Sequence, residues 1–449
     1  MNNNLLNLSP LDGRYEKDLV ELKSFFSEMS LIKYRIKIEI EYLIALSNEK
    51  EIKSLKPFTK KEIDNLRKIY LQFDLAEAKK IKKIEKETNH DVKAIEYYLN
   101  TKIKKELHSW IHFGLTSEDI NNLCYTLMWK DAIDKEFLKI LSQLYDELAK
   151  FSKKYKNTAL LSLTHGQPAS PSTVGKEFAV FANRIFKSLN SITQHEYEAK
   201  FSGATGNWSA HLISFKKVNW TEFSKKFLLS FNLKPNLLTT QIEPNDSLSE
   251  SFHKIVRTNT ILIDFCQDIW LYISRGVFKQ KKISSEIGSS TMPHKINPIN
   301  FENAEGNLGL SISILNHLSM KLSISRMQRD LSGSTVIRNH GVGLAHSYLA
   351  IKNILKGLKR LSVDKNKIDI ELNEHWEILA EPIQTILRKC GKENAYEELK
   401  KITRGEKINS KIIKNFIINL DLNDEDKKVL LNISPKDYIG LASTITEKL

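Results

Sequence analysis

Proline is scarce in this chain, and its spacing is the strongest constraint on what the chain can fold into. Only 10 of the 449 residues are proline, and none lies between Pro57 and Pro168. Because proline breaks the interior of a helix, such an interval permits long uninterrupted helices. In residues 116–150 the apolar positions recur mostly at steps of three and four, which predicts an amphipathic helix about 50 Å long.

Similar helical periodicity occurs in four further segments, and no fixed-period repeat or glycine-rich phosphate loop is present. These segments are residues 174–192, 248–273, 301–322 and 336–358. The patterns predict an all-α fold of three helical domains with a long central helix bundle. Breaks in the patterns place the domains at residues 1–111, 112–362 and 363–449.

The segment 248–273 is apolar on more than one face. A helix of this kind needs neighbours all round. We expect it both to lie at the centre of its own bundle and to pack against another subunit.

The formal net charge of +14 is compatible with nucleic-acid binding, an anionic substrate or a compositional bias. The lysines are spread along the polar sides of helical patterns, and aromatic residues do not alternate with them. This distribution favours a solvated surface over a nucleic-acid face. A positive potential would still speed the arrival of a multiply charged small molecule.

Cysteine usage and the N-terminus indicate the compartment. Cys124, Cys266 and Cys390 have neither CxxC spacing nor clustered histidines, which predicts reduced core thiols and no zinc site. The N-terminus lacks a basic region followed by an apolar one, and no apolar run is long enough to span a bilayer. We therefore expect a cytoplasmic protein.

The segment 285–302 concentrates reactive residues between two long helical patterns. Its small, hydroxyl-bearing run begins at Gly288, and Asn297-Pro298 predicts an N-cap followed by the first helical residue. Lys295 therefore lies two residues before a helix N-terminus, where the helix dipole is already positive. That arrangement is favourable when an anion occupies the space between them. The alternative is an ordinary polar loop between helices.

Other reactive residues cluster at predicted helix ends. Thr88 and Asp91 have the spacing of a capping box, which would place His90 in the first helical turn, where the dipole favours a neutral imidazole. Thr116 and Ser117 begin the next long helix and offer hydroxyl and N–H groups to a carboxylate. Each of these positions is also explained by capping alone.

Two further segments carry functional side chains. His165 is bracketed by turn residues in the sequence Thr-His-Gly-Gln-Pro, which is unlike the setting of a core histidine. Arg326, Arg329 and Arg338 lie within about a dozen residues of one another, together with the hydroxyl of Ser334. Arginine forks suit carboxylate and phosphate groups.

The loop at residues 288–298 reads Gly-Ser-Ser-Thr-Met-Pro-His-Lys-Ile-Asn-Pro and resembles the signature loop of the fumarase/aspartase superfamily. Further motifs resemble the bacterial adenylosuccinate lyases, one family of that superfamily. They are Ser-Pro-Leu-Asp-Gly-Arg-Tyr near the N-terminus, Thr-Asn-His-Asp-Val-Lys-Ala, Thr-Ser-Glu-Asp-Ile-Asn-Asn and Thr-His-Gly-Gln-Pro-Ala. The resemblance runs from Ser9 to about Tyr438.

The resemblance implies a β-elimination that releases fumarate from adenylosuccinate and from the succinylated carboxamide ribotide SAICAR. It implies that Ser289 is the base and that His165 is the acid that protonates the departing nitrogen. Lys295 would stabilise the dianionic aci-carboxylate, with Glu302 holding the lysine in place. Gly288 would serve as a hinge that lets the loop close over the substrate.

The resemblance also implies the binding residues and the assembly. Phosphate ligands would be Arg14, Tyr15, Ser334 and Arg338; the succinyl carboxylates would be held by Thr116, Ser117, Lys295 and Asn297; other substrate contacts would come from Asn89, His90, Asp91, Gln241, Asn303 and Arg329. No metal or organic cofactor is implied. The superfamily assembles as a homotetramer whose active sites each draw on three subunits.

Three alternatives stay open on the sequence alone. A different lyase of the superfamily, such as argininosuccinate lyase or fumarase, would lack the N-terminal Arg-Tyr pair and the histidine before the loop lysine. A basic helical nucleic-acid binder would show steeply salt-dependent binding. A superfamily member kept only for a structural role would not need Ser289, His165 and Lys295, all of which are present.

Overall fold

The computed structural model describes residues 4–281, 292, 295–392 and 408–449. These residues are mainly helical, which confirms the predicted all-α class. The helices are α1 Val20–Phe26, α2 Glu28–Ser47, α3 Lys60–Leu71, α4 Leu75–Thr88, α5 Asp91–Asn100, α6 Ser117–Ala132, α7 Leu138–Lys154, α8 Val174–Thr193, α9 Ser209–Ser214, α10 Trp220–Leu229, α11 Asp246–Ser274, α12 Ile299–Leu322, α13 Ser332–Ile337, α14 His340–Arg360, α15 Lys365–Glu374, α16 Ala380–Lys389, α17 Ser410–Asn419, α18 Asp424–Asn432 and α19 Ala442–Thr446.

The long helices fall where the apolar periodicity predicts them. The predicted helix at residues 116–150 is α6 followed by α7, joined by a π-helical turn at Ile133–Phe137. Both end residues of that turn are fully buried, so the extra residue of the turn is accommodated inside the core. Helix α12 begins at Ile299, one residue after the predicted start at Pro298.

Short strands form three two-stranded sheets among the described residues. Strands β1 (Ala159–Thr164) and β2 (Gln167–Thr173) make an antiparallel hairpin; β3 (Glu198–Ala199) pairs in parallel with β4 (Lys234–Pro235); and β5 (Phe278–Gln280) pairs antiparallel with β6 (Leu361–Val363). The helical periodicity did not predict these strands.

The chain divides into two compact units. Unit 1 comprises Met1–Ile140, Ser188–Thr260 and Gly306–Lys352, and unit 2 comprises Leu141–Lys187, Ile261–Glu305 and Asn353–Leu449. The division into three sequence domains stays a prediction.

Unit 1 is organised around helix α2, which is buried on most of its faces. Its side chains Ile36, Ile38 and Tyr42 have no exposed surface. The same helix also buries Arg35 and Glu39, at 2% and 1% exposure. Buried charges are stable only when they are paired or hydrogen-bonded, so these two residues mark places where polar partners meet the core.

Unit 2 has an aromatic core. The rings of Phe151 and Phe178 stack with centroids 4.1 Å apart, and Phe265 meets Phe178 edge-on at 5.7 Å. Phe278 of β5 extends the cluster. Aromatic packing of this kind contributes beyond the area that it buries, and it holds the helices of the unit together.

Cysteine burial agrees only partly with the sequence prediction. Cys124 and Cys266 are buried free thiols, whereas Cys390 is half-buried, so the prediction of a core position is wrong for Cys390. It lies at the end of α16, where its thiol donates weakly to Asp426 at 3.4 Å. No helix in the described part of the chain is long and apolar enough to cross a membrane.

Candidate active site

A cleft of about 760 Å³ in unit 1 collects most of the predicted binding residues of that unit. We call it the basic cleft, because five of its lining side chains are arginine or lysine. Its lining residues are Arg35, Lys82, Glu85, Lys86, Asn89, His90, Asp91, Ser117, Asn121, Tyr125, Arg329, Leu331, Ser334 and Arg338. Seven of these are predicted site residues, namely Asn89, His90, Asp91, Ser117, Arg329, Ser334 and Arg338.

The junction between α4 and α5 places three of these residues. Asn89 adopts a left-handed conformation with φ of 51° and ends α4 after Thr88, and His90 is the N-cap of α5. The predicted capping box of Thr88 with Asp91, with His90 in the first turn, is therefore wrong. Asn89 tolerates the left-handed conformation that stops α4, which leaves Thr88 inside α4 instead of before α5.

His90 caps α5 with its own ring. Its Nδ1 accepts the backbone N–H of Lys93 at 3.1 Å. A ring nitrogen that accepts a hydrogen bond carries no proton, so in this arrangement a proton can reside only on Nε2. The His90 side chain is exposed and can present that Nε2–H group to a ligand.

Asp91 is bound by two arginines. Its Oδ2 accepts from Arg35 at 2.7 Å and from Arg338 at 3.1 Å. Burial would raise the pKa of Asp91, but Arg35 and Arg338 outweigh that effect and the net pKa lies below its usual value. Arg35 also donates to Asn121 at 3.0 Å. This network fixes the orientation of Asp91 and Asn121 at the floor of the basic cleft.

The N-terminus of α6 points Ser117 into the basic cleft. Thr116 and Asp119 form a capping box, and the backbone N–H of Thr116 donates to Asp119 Oδ2 at 2.9 Å. The other oxygen, Oδ1, accepts backbone N–H groups of Ser202 and Gly203 at 3.0 and 3.2 Å. Asp119 therefore ties the start of α6 to the loop that follows β3.

Lys200 is the buried counterpart of Asp119. Both side chains have no exposed surface, and Lys200 Nζ lies 3.2 Å from Asp119 Oδ1. The same ammonium donates to the carbonyls of Gly203 and Gln241, both at 2.7 Å. Burial lowers the pKa of Lys200 and Asp119 opposes that shift. Three contacts match the three donors of an ammonium group, so the arrangement requires the charged form.

The Gln241 side chain connects this network to Arg329. Its Nε2 donates to the Ala204 carbonyl at 2.9 Å, and its Oε1 accepts from Arg329 at 3.3 Å. Arg329 also donates to Ser334 at 3.3 Å and lies 3.1 Å from Glu118 Oε2. Burial raises the pKa of Glu118, although Arg329 opposes the shift. The guanidinium is thus held between a carboxylate and two neutral groups.

The N-terminal pair lies apart from the lining of the basic cleft. The Arg14 guanidinium lies 5.8 Å from the centre of the Tyr15 ring, and neither residue lines that cleft. Ser9, Leu11 and Asp12, just before the pair, line a neighbouring cleft that also includes Arg338. Arg338 therefore borders both clefts, and the N-terminal segment runs close to it.

In unit 2, His165 stands at the tip of the β1–β2 hairpin. His165 and Gly166 form a two-residue turn with φ of 53° and 73°, and Thr164 pairs with Gln167. Positive φ at both central residues fits the tight hairpin turn whose twist matches the strands. The His165 side chain is exposed, which confirms that it is not a core histidine.

The start of α12 carries the other predicted residues of unit 2. Lys295 is exposed, and Asn297 is half-buried just before the helix. Glu302 accepts from the indole N–H of Trp270 at 3.1 Å, and Asn303 accepts from Asn353 at 3.0 Å. Gly288 and Ser289 lie outside the described residues.

Sequence reasoning missed three charged residues that organise unit 1. Arg35 is a single arginine flanked by apolar residues in α2, which was an available signal for a paired buried charge. Glu118 lies inside the Thr-Ser-Glu-Asp motif but was not assigned a role. Lys200 gave no local signal, because its partners Asp119 and Gln241 are distant in sequence.

Comparison with known proteins identifies related families. Residues 13–310 match the family described as Lyase, and residues 325–439 match the family described as Adenylosuccinate lyase C-terminal. Adenylosuccinate lyases of Haemophilus influenzae and Escherichia coli K12 are each 46% identical over 98% of this chain and 98% of their own length. That of Buchnera aphidicola from Acyrthosiphon pisum is 47% identical with the same coverage.

Solved structures share the fold at low identity. A fumarate lyase from Mesorhizobium sp. BNC1 matches with a TM-score of 0.78 at 16% identity, covering 96% of this chain and 97% of that chain. The 3-carboxy-cis,cis-muconate lactonizing enzyme of Pseudomonas putida matches with a TM-score of 0.74 at 18% identity, covering 96% of both chains.

We predict that Gly206→Ala destabilises the loop that carries Gln241. Gly206 has φ of 74°, and a Cβ there would lie 2.1 Å from the Thr239 carbonyl oxygen. This overlap involves backbone, so we expect a loss of about 2 kcal/mol or more and a thermal unfolding midpoint lowered by several degrees. Gly309→Ala is the control, because its Cβ would meet nothing within 4 Å. Equal midpoints for the two variants would contradict the prediction.

Proposed function

Because this chain belongs to the adenylosuccinate lyase family, we propose that it releases fumarate by β-elimination from adenylosuccinate, giving AMP. The same step on SAICAR gives AICAR, since both substrates join a succinyl group to nitrogen. In both reactions a proton leaves the carbon next to a carboxylate, and the carbon–nitrogen bond to the neighbouring carbon breaks.

The observation that best supports the proposal is the charge of the basic cleft. Five cationic side chains line it against two carboxylates, Glu85 and Asp91. The helix N-terminus at Ser117 adds free N–H groups and the positive end of a dipole. Each substrate carries a phosphate and two carboxylates, so a cleft of this size and charge suits it.

The roles in proton transfer follow the family motif. Ser289 takes the proton from the carbon, and His165 donates a proton to the departing nitrogen. The position of His165 at an exposed hairpin tip supports this assignment, because an imidazole there is free to reach a substrate. Side chains of the protein therefore carry both proton transfers.

Serine holds its proton strongly, so Ser289 acts as a base only if its alkoxide is stabilised. Lys295 is six residues further along the same loop, and its exposed ammonium has no ion pair within the described residues. We assign to it the stabilisation of the alkoxide and of the aci-carboxylate that forms when the proton leaves. We assign to Glu302 the role of holding Lys295 in place; in this structure the Glu302 carboxylate accepts from the Trp270 indole.

The substrate groups are assigned by the same motif matching. Thr116, Ser117, Lys295 and Asn297 bind the succinyl carboxylates, and Arg338 and Ser334 bind the phosphate together with the N-terminal pair Arg14 and Tyr15. Asn89, His90 and Asp91 contact the substrate from the α4–α5 junction. Gln241 and Arg329 orient it, and Asn303 completes the pocket.

We further propose a homotetramer whose active sites combine residues of several subunits. Several large apolar side chains on the long helices are exposed in the single chain, including Trp270 at 44%, Leu271 at 53% and Met320 at 64%. Helix α11 carries two of them, and in the single chain 13 of its 29 residues are buried while 10 are exposed. Exposed apolar surface of this kind marks a protein interface.

Removing either proton-transfer group should abolish turnover without unfolding the protein. We expect Ser289→Ala and His165→Ala to lose at least about a thousandfold in kcat for adenylosuccinate, because acid–base groups contribute on that scale. Absorbance change on adenylosuccinate loss measures the rate, and circular dichroism checks the fold. His375→Ala, a histidine paired with Glu377, is the matched control and should keep near-normal turnover. Turnover within tenfold of wild type in either variant would refute the assignment.

Dilution should abolish activity before the helices melt. If each active site needs several subunits, monomers retain secondary structure but not turnover. Sedimentation velocity, circular dichroism and activity measured on one dilution series provide the comparison. Full turnover by protein that sediments as a monomer would contradict the proposal that each active site combines residues of several subunits.

A further inference from the structure

We propose that Lys86 is a substrate-binding residue that contacts the 5′-phosphate and so favours the nucleotide over the nucleoside. This inference rests on the proposed function and deepens it by naming an additional ligand for one group of the substrate. Neither the loop motif nor the other family motifs contain Lys86, and its role follows from its place in the basic cleft.

Helical geometry places Lys82 and Lys86 on the same face of α4. They are four residues apart, so their side chains lie one above the other, and both line the basic cleft. Lys83, between them in sequence, is exposed but does not line the cleft. Lys86 lies in the last turn of α4, just before Asn89 ends the helix. The helix thus presents Lys86 beside the residues of the α4–α5 junction.

The ion pairs of the other four lining cations are already formed. Asp91 holds Arg35 and Arg338, at 2.7 and 3.1 Å, and Glu118 holds Arg329 at 3.1 Å.

Lys82 is held from two sides, by Glu28 and Glu85, each at 2.8 Å. Across the ranges that the structure describes, Lys86 is the lining cation for which no carboxylate lies within ion-pair distance. Among the cations that line the basic cleft, Lys86 is therefore the one whose charge is not paired with a carboxylate of the described residues.

The phosphate is the substrate group that needs this charge. A phosphate is close to a dianion at neutral pH. Arg338, one of the residues assigned to bind it, already forms an ion pair with Asp91. The carboxylates, in contrast, have the N-terminus of α6 at Ser117 and Lys295. A lysine ammonium on a flexible stem suits a phosphate, which it binds as a point charge.

The experiment compares a nucleotide substrate with its nucleoside. We would measure kcat and KM for adenylosuccinate and for its 5′-dephosphorylated nucleoside, using wild type, Lys86→Gln, Lys86→Arg and Lys83→Gln. Lys86→Gln should lower kcat/KM for adenylosuccinate roughly tenfold, mainly through KM, because one charge-assisted contact is lost. Lys86→Arg should restore most of the loss, and Lys83→Gln should change little.

The nucleoside lacks the phosphate but keeps both carboxylates, so it shows which of these groups Lys86 binds. If Lys86 binds the phosphate, Lys86→Gln should leave kcat/KM for the nucleoside unchanged, measured at enzyme concentrations that detect slow turnover. An equal loss on both substrates would show that Lys86 serves a carboxylate or the fold, and a loss below twofold on adenylosuccinate would show no role. Either result overturns the inference.

Failure of the proposed function is distinguishable from failure of the inference. If wild type does not cleave adenylosuccinate, the proposed function fails. If wild type cleaves it and Lys86→Gln does so equally well, only the role of Lys86 fails. Circular dichroism and sedimentation on each variant verify that all four proteins have the same fold and assembly.

Discussion

The fully buried ion pair of Asp119 and Lys200 is the interaction on which the rest of unit 1 depends. Asp119 gathers the backbone N–H groups of Thr116, Ser202 and Gly203, while Lys200 donates to the carbonyls of Gly203 and Gln241. A buried charge left without partners is costly, so the two residues hold each other and these loops in one arrangement. The N-terminus of α6 and the Gln241 loop are thereby fixed relative to each other before substrate arrives, which is the kind of preorganisation that catalysis requires.

Around that pair, most of the cationic groups of the unit that line the basic cleft form an ion pair with a carboxylate. Arg35 and Arg338 share Asp91, and Arg329 is held by Glu118. Like charges in one cleft would otherwise repel one another. Under the proposed function, a substrate with several negative charges would meet arginines whose positions are already set. The overall charge of +14 is, in contrast, spread through the chain.

The extent to which sequence predicted the structure depends on the range of the interactions involved. Long helices followed from apolar periodicity, and the exposed turn at His165 followed from Thr-His-Gly-Gln-Pro, because both signals are local. The α4–α5 junction was assigned wrongly, since the left-handed Asn89 and the ring of His90 compete with the Thr88 capping box that the spacing indicated. Lys200 was not found at all. Its role comes from contacts with Gln241, 41 positions away, and with Asp119, 81 positions away, and apolar periodicity carries no information about contacts at such separations.

The most direct test of this account is the rate of adenylosuccinate cleavage by Lys200→Met. That substitution keeps the bulk of the side chain and leaves Asp119 its three backbone N–H partners, but it removes the donor to Gln241 and Gly203. The account predicts that the variant still folds, with a lower unfolding midpoint, and that kcat/KM falls more than about a hundredfold because the Gln241 loop is no longer held. A folded variant with kcat/KM within about threefold of wild type would contradict it.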